Sequence, residues 1–314
     1  MINQIVFGAG DNSHGQLGID AYMSKVDVNE LNLPAPIVSI HAGYYHSIFL
    51  DVHGKAYACG QGFNRTPQLV KGLEDEIITY ATGGYDYSFF ITKNGEVYGC
   101  GEIGNMVLGG GGKQDIMKIK GFHHKIVSAS SGYYHTLFVS EEGVVYSCGR
   151  NQYNCLCRNV EEREHHNRGE DCKLLEHKHW NNIVQVSCGG YHSAALDNEG
   201  RSYVFGHSGF NQAPHDDNLQ HTPYKTSIPN DSIEDPFPEA MILPHPSKER
   251  TLKCVSVAAG GWNTMVLASP YVEVFSRKNE KEMFQKLKMY LGESKAHHHL
   301  FDIEIVIGRD DIQA

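Results

Sequence analysis

Three groups of side chains in this 314-residue sequence have types and spacings that could do chemistry. The first recurs in five similar segments: AGYYHSIFL, GGYDYSFFI, SGYYHTLFV, CGGYHSAAL and AGGWNTMVL. His46, Tyr87, His135, His192 and Asn263 share the matching position. Imidazoles repeated in this way could ring a metal ion, but a tyrosine and an asparagine in two of the places are poor ligands for one. The series is therefore expected to hydrogen-bond to backbone near the junctions of neighbouring units.

The second group directly precedes the first and comprises Tyr44, Tyr45, Tyr85, Asp86, Tyr133, Tyr134, Tyr191 and Trp262. Aromatic side chains anchor protein interfaces and stack on ligands. Placed in equivalent turns, these residues are expected to repeat around one mouth of the fold as a partner-binding face. Packing between units is the other use such rings have.

The third group is Cys155, Cys157, His165, His166, Cys172, His177 and His179. Thiolates and imidazoles bind zinc at neutral pH, but C-x-C, then H-H, then C, then H-x-H is not a finger spacing. In a chain with 19 histidines, a solvated loop without metal is expected. His297 to His299 receive no role.

No covalent enzyme chemistry is legible. The sequence has no G-x-S-x-G, no phosphate-binding glycine loop and no H-E-x-x-H, so neither a catalytic residue nor a cofactor is assigned. The acidic residues Glu141, Glu142, Asp197 and Glu199 fall in turns and are expected to face solvent.

The elements that must position these groups follow from the repeat itself. Eight residues after the matching position comes a turn glycine, at Gly54, Gly95, Gly143 and Gly200. Six further on comes another, at Gly60, Gly101, Gly149 and Gly206. SIFLDVHGKAYACG alternates apolar with small or polar residues around a tight turn, which predicts a hairpin. IVSIHAG, IITYATG, IVSASSG, IVQVSCG and CVSVAAG each predict a further strand ahead of it. Small antiparallel sheets of this kind cannot bury both faces alone, and radial stacking as a β-propeller solves that problem.

The fifth copy lacks its turn glycine and following strand, while the chain opens with IVFGAGDNSHGQLG. Val6, Phe7 and Gly10 there match Ala56, Tyr57 and Gly60. The expectation is an all-β, five-bladed propeller over residues 1–270, its last blade completed jointly by residues near 5 to 18 and near 253 to 269. An insertion near 207 to 252 carries seven prolines among acidic residues and is expected to be a surface excursion, whether making contacts or serving as a spacer.

Composition narrows the function classes. Lys and Arg number 27 against 37 Asp and Glu, a formal charge of −10, which disfavours duplex DNA or an anionic membrane as the main partner. There is no run of eighteen apolar residues and no N-terminal signal pattern, so no membrane span and a cytoplasmic, or additionally nuclear, protein are expected. Cys59, Cys100 and Cys148 occupy one repeat position, as reduced, buried small groups would.

With GDNSHGQLG at residues 10–18, GYYHS and GEVYGCG, the sequence resembles the regulator of chromosome condensation repeat family, over roughly residues 5 to 269. The founding member is a seven-bladed propeller that acts on the small GTPase Ran as a nucleotide exchange factor and also binds chromatin. The chain departs from that pattern: it has five units, and N-x-x-G-Q-L-G survives only at Asn12 to Gly18. The resemblance implies a protein-interaction scaffold that binds or regulates a small GTPase. Guanine-nucleotide exchange on a Ran- or Rho-type GTPase is its catalytic version, and carbohydrate binding through stacked aromatics is a third reading.

The tail adds two expectations. In NEKEMFQKLKMYLG, residues 279 to 292, Met283, Phe284, Leu287 and Leu291 share one face, which predicts a short amphipathic C-terminal helix in a linker over 271–299. LFDIEIVIGRDDIQA, within 300–314, resembles the opening of a BTB domain, incomplete here. That resemblance implies homodimerisation of the full-length protein through the BTB domain.

Overall fold

The computed structural model describes residues 5–20, 23–102, 114–151, 153, 155–156, 174–177, 180, 182–207 and 252–270. The elements whose bounds are described are all β-strands. No helix among them is long and apolar enough to cross a membrane. The amphipathic helix, the BTB-like segment and the proline-rich excursion expected from sequence lie outside the described residues.

Each complete unit is an antiparallel sheet whose strands follow chain order. The first holds β3 (Ile37–Ala42), β4 (His46–Asp51), β5 (Ala56–Gly60) and β6 (Gln68–Leu69). The second holds β7 (Ile78–Gly83), β8 (Tyr87–Thr92), β9 (Val97–Gly101) and β10 (Gln114–Lys118). The third holds β11 (Ile126–Ser131), β12 (His135–Ser140), β13 (Val145–Gly149) and β14 (Leu175–His177). The fourth has three described strands, β15 (Ile183–Cys188), β16 (His192–Asp197) and β17 (Ser202–Gly206).

Sequence pattern sorts the strands within a sheet. The second strand is a continuous apolar run, SFFI or TLFV, because neighbouring sheets cover both of its faces and every residue of β8, β12 and β16 is buried. Phe89 packs edge-on against Phe138 across the junction of the second and third sheets, centroids 5.0 Å apart. Burying each ring contributes roughly 1.5–3 kcal/mol. The turn into the third strand is closed by a polar side chain five residues after the repeated position. Asp51 accepts from the His53 and Lys55 amides at 2.8 Å each. Asp197 accepts from the Glu199 and Arg201 amides at 3.0 and 2.8 Å. Ser140 and Thr92 cap their own turns in the same way.

Asp197 corrects the expectation for the turn acids. Glu141, Glu142 and Glu199 are exposed, but Asp197 is buried, held by these amides and by the Tyr203 hydroxyl at 2.9 Å. Cys59, Cys100 and Cys148 are buried and carry no disulfide, and burial pushes the Cys59 thiol up to about 12.

Two strand pairs flank the four sheets. At the start, β1 (Phe7–Gly10) pairs with β2 (Val26–Glu30), and at the end β18 (Leu252–Ala259) pairs with β19 (Thr264–Pro270). β18 and β19 match the first two strands of a full sheet, down to a register irregularity between Cys254 and Ser256 that recurs at Ile37/Ser39, Ile78/Tyr80, Ile126/Ser128 and Ile183/Gln185. β1 matches a third strand: Gly10 has φ +111°, against +106°, +89°, +104° and +109° at the glycines ending β5, β9, β13 and β17.

The joint last blade expected from sequence is not formed: among the described residues no pairing joins β1 to β19. β1 and β2 are instead held by side chains, Val6 and Leu31 packing with Ile37, Phe49 and Cys59 of the first sheet. The open junction leaves apolar side chains in solvent. Ile40 is 54% exposed, although Ala81, Ala129, Val186 and Val257 at its position are buried. Met265 and Leu267 are 52% and 60% exposed, although Ile48, Phe89, Leu137 and Ala194, and Leu50, Ile91, Val139 and Leu196, are buried.

Candidate functional site

The repeated position is built first by a tight loop. In all five copies the amide of a glycine donates to the carbonyl three residues on, from Gly43 to His46, Gly84 to Tyr87, Gly132 to His135, Gly189 to His192 and Gly260 to Asn263, at 2.8–2.9 Å. The side chain then folds beneath that glycine. A Cβ on Gly132 would stand 2.7 Å from Nδ1 of His135, so only glycine leaves the ring its place.

These side chains bridge sheets through hydroxyl groups as well as through the backbone groups expected. His46 Nε2 lies 2.7 Å from Ser88 Oγ, and His135 Nε2 lies 2.8 Å from Ser193 Oγ. Each hydroxyl comes from the next sheet, one residue past its own copy of the position. Tyr87 follows the expectation, its hydroxyl donating to the Gly132 and His135 carbonyls at 3.0 and 2.8 Å, and His135 also meets the backbone of His192. His192 is fully buried against the backbone of Asn263, whose own side chain is exposed. Burial holds the imidazoles neutral: His46 falls to about 4 and His135 to about 3. They are frame, not ligands.

The loops that hold this position carry the aromatic series at their tips, and main-chain bonds link the tips in order. Tyr44 N donates to Gly84 O at 2.9 Å, Tyr85 N to Tyr133 O at 3.3 Å, Tyr133 N to Gly190 O at 3.3 Å and Gly190 N to Gly261 O at 3.1 Å. The structure brings the predicted rings into one cluster. Tyr44 stacks on Tyr85 with centroids 4.6 Å apart, and Tyr45 meets both. Tyr134 contacts Tyr85 and Tyr191, and Tyr191 contacts Trp262. Asp86 accepts from Gln61 Nε2 among these rings.

Tyr133 lies at the centre. It stands nearly perpendicular to Tyr44 at 5.3 Å and to Trp262 at 6.3 Å, so rings from the first and fifth copies converge on it. The sequence makes room for it: where the first three copies read GYY or GYD, the last two read GGY and GGW. A Cβ on Gly190 would lie 3.0 Å from the Tyr133 ring. Tyr44 and Trp262 remain 47% and 44% exposed.

A second circle of residues was not anticipated. The residue after each glycine that ends a third strand donates its amide to the tip carbonyl of the same sheet: Gln61 to Tyr45, Glu102 to Asp86, Arg150 to Tyr134 and His207 to Tyr191, at 2.8–2.9 Å. Asp11 holds the same place after Gly10. The signal was present in sequence, since each residue directly follows a glycine already identified. Arg150 places its guanidinium carbon 4.7 Å from the Tyr134 ring centre. His14 packs on Tyr45 at 4.2 Å, and His207 meets Trp262 and Tyr153.

The electrostatics are those of an aromatic surface beside carboxylates. The Tyr45 hydroxyl is pushed up to about 12, chiefly by its hydrogen bond with Tyr85, with Asp86 adding a smaller effect. Tyr134 is raised by burial first, then by Tyr85, while Arg150 opposes the shift.

Of the zinc candidates, Cys155 and His177 are described and serve different contacts. The Cys155 thiol donates to the Arg150 carbonyl at 3.2 Å, while His177 Nε2 lies 2.7 Å from Ser147 Oγ and stacks on Trp180. Cys157, His165, His166, Cys172 and His179 lie outside the described residues. Among the described residues no group of three or more His, Cys, Asp or Glu could hold a metal ion.

Stacked sheets in chain order, with a mouth built from loop tips, define a propeller-type fold of regulator of chromosome condensation character. Models of the regulator of chromosome condensation (RCC1) repeat match the chain at residues 37–65, 126–155 and 183–212, and again at 142–196. These matches fall on the first, third and fourth copies. No curated protein sequence matches the chain.

Solved structures share the fold. Human WBSCR16 is 19% identical with a TM-score of 0.64, over 86% of this chain and 69% of that one. Prp20p from Saccharomyces cerevisiae, described with its binding properties to Gsp1p and histones, is 20% identical with a TM-score of 0.65, over 86% of this chain and 65% of that one. Yeast RCC1 (Prp20) bound to Kap60 is 20% identical with a TM-score of 0.63, over 85% and 63%. The chain spans about two thirds of the length of these proteins.

Proposed function

We propose that this chain is a protein-binding platform of the RCC1-repeat type, and that its partner is a small GTPase. The observation that carries the reading is the tyrosine and tryptophan cluster: large rings, locked to one another and to a rigid frame, with Tyr44 and Trp262 still open to solvent. Pre-positioned aromatics of this kind are the usual anchors of protein interfaces, since little side-chain freedom is lost on binding. The family resemblance supplies the GTPase, and the similarity to Prp20p, with its described binding to Gsp1p, supports it. Any effect on nucleotide exchange would come from displacing contacts in the GTPase, without covalent chemistry on this chain.

The reading includes a closed ring of five blades. Pairing β19 with β1 in the register of β4 with β5 would set Met265 opposite Gly8 and turn Met265 and Leu267 toward Ile40. One junction would then bury all three exposed apolar side chains, and the shared contact of Tyr44 and Trp262 with Tyr133 already draws the two ends together.

Capture of purified Ran- and Rho-type GTPases by the full chain, with release of labelled GDP followed in parallel, tests the function. Capture that weakens at least tenfold in Tyr44→Ala/Trp262→Ala is expected. No capture of any of them would refute the GTPase, and capture indifferent to this variant would refute the mouth.

A further inference from the structure

We infer that the mouth takes one aromatic side chain, a tyrosine, phenylalanine or tryptophan carried by the partner protein, into a place beside Gly261. This deepens the reading of the mouth as a binding face and rests on it. The repeat defines the place. Each loop tip offers two residues: Tyr44 and Tyr45, Tyr85 and Asp86, Tyr133 and Tyr134, Gly190 and Tyr191, Gly261 and Trp262. The first ring of a tip lies against the tip that follows it in the chain. Tyr44 meets Tyr85 at 4.6 Å, Tyr85 meets Tyr134 at 5.5 Å and Tyr133 meets Tyr191 at 5.4 Å, centroid to centroid. The fourth tip has Gly190 at this point, and so has no first ring to lay against the fifth.

The two glycines differ in what stands beside them. Neither has a left-handed φ, so the backbone does not demand glycine at either position. Gly190 is buried, and Tyr133 takes up its room, since a Cβ there would lie 3.0 Å from that ring. Gly261 is exposed, and among the described residues a Cβ there would meet only the Tyr133 hydroxyl, at 3.6 Å. Trp262 beside it is 44% exposed, as is Tyr44 at 47%, and both meet Tyr133. A ring arriving here would lie against the fifth tip as Tyr44, Tyr85 and Tyr133 lie against theirs. Planar rings gain from edge-on and offset contacts beyond the area they bury, which an aliphatic side chain does not. The receiving rings are already fixed by one another and by the bonds between tips, so little freedom is lost on docking.

The test is fluorescence anisotropy on the full chain at physiological ionic strength, with three short labelled peptides that alternate glycine with tyrosine, leucine or serine. Preferential binding of the tyrosine peptide is expected. Gly261→Tyr, which fills the place from within, should weaken it by about tenfold or more, and the effect grows with side-chain size because a methyl group takes up little of a ring's room. Trp262→Ala removes a receiving ring, should weaken it by about the same factor, and decides the matter if the tyrosine variant does not fold. Glu142→Gln, a turn residue outside the mouth, should leave it unchanged. Circular dichroism establishes which variants are folded. A leucine or serine peptide bound as well as the tyrosine one, a folded Gly261→Tyr or Trp262→Ala that binds normally, or a loss in Glu142→Gln matching theirs would overturn the inference. GTPase capture on the same proteins separates the two readings: capture without tyrosine-peptide binding overturns this inference alone, whereas peptide binding at the mouth without capture overturns the GTPase alone.

Discussion

His135 Nε2 and Ser193 Oγ lie 2.8 Å apart across the junction of the third and fourth sheets, and both residues are completely buried. The serine hydroxyl also donates to the Cys155 carbonyl at 2.9 Å. Ser193→Ala would leave Nε2 of His135 buried without this partner. A loss of about 1–3 kcal/mol is expected, read as a lower midpoint in thermal or urea unfolding. An unchanged midpoint would show that the pair does not join the sheets.

The neutral histidines make stability depend on pH in a defined direction. His46 and His135 titrate at about 4 and about 3 in the folded chain, below the ordinary imidazole value. Their contribution is full above about pH 6.5 and falls as the pH drops, because the unfolded chain then binds protons that the folded chain refuses. By about pH 5.5 each should cost roughly 1 kcal/mol. Urea midpoints measured from neutral to mildly acidic pH check this, and His46→Gln should flatten part of the slope.

Gly190 and Gly261 make a matched pair of substitutions. A Cβ on Gly190 meets the Tyr133 ring at 3.0 Å and the Gly261 carbonyl at 2.8 Å, whereas one on Gly261 meets only the Tyr133 hydroxyl, at 3.6 Å. Gly190→Ala is expected to cost about 1–3 kcal/mol and to displace Tyr133, weakening capture at the mouth. Gly261→Ala should be close to neutral in both melting and capture assays.

Ring closure can be tested by chemistry and by charge. In the register proposed, Ala9 faces Thr264, as Cys59 faces Ser47. Ala9→Cys/Thr264→Cys should join under a short thiol cross-linker, with the linked peptide identified by mass spectrometry. Met265→Asp should destabilise a closed ring by roughly 2 kcal/mol or more and leave an open arc unaffected.

The repeat was readable because a hairpin fixes the distance between its turns: the glycine offsets in sequence became the strand ends in the fold. The gathering of the eight aromatic-series residues on equivalent loop tips was readable for the same reason. The partners of the buried histidines were missed, although the clue stands beside each one. Ser47, Ser88, Thr136, Ser193 and Thr264 follow the repeated position in every copy, yet their role appears only when one sheet is laid on the next. Asp197 misled for a similar reason, since an acid in a turn reads as solvated until its own amides turn inward to meet it. The joint blade rests on a contact between opposite ends of the chain, where no local pattern dictates the outcome.

The links between neighbouring tips run from main chain to main chain, from Tyr44 to Gly84, Tyr85 to Tyr133, Tyr133 to Gly190 and Gly190 to Gly261. These four bonds themselves use no side chain. Several of the groups the tips display can therefore be exchanged without loosening the frame, which leaves the molecule able to acquire new associates by changing a handful of letters.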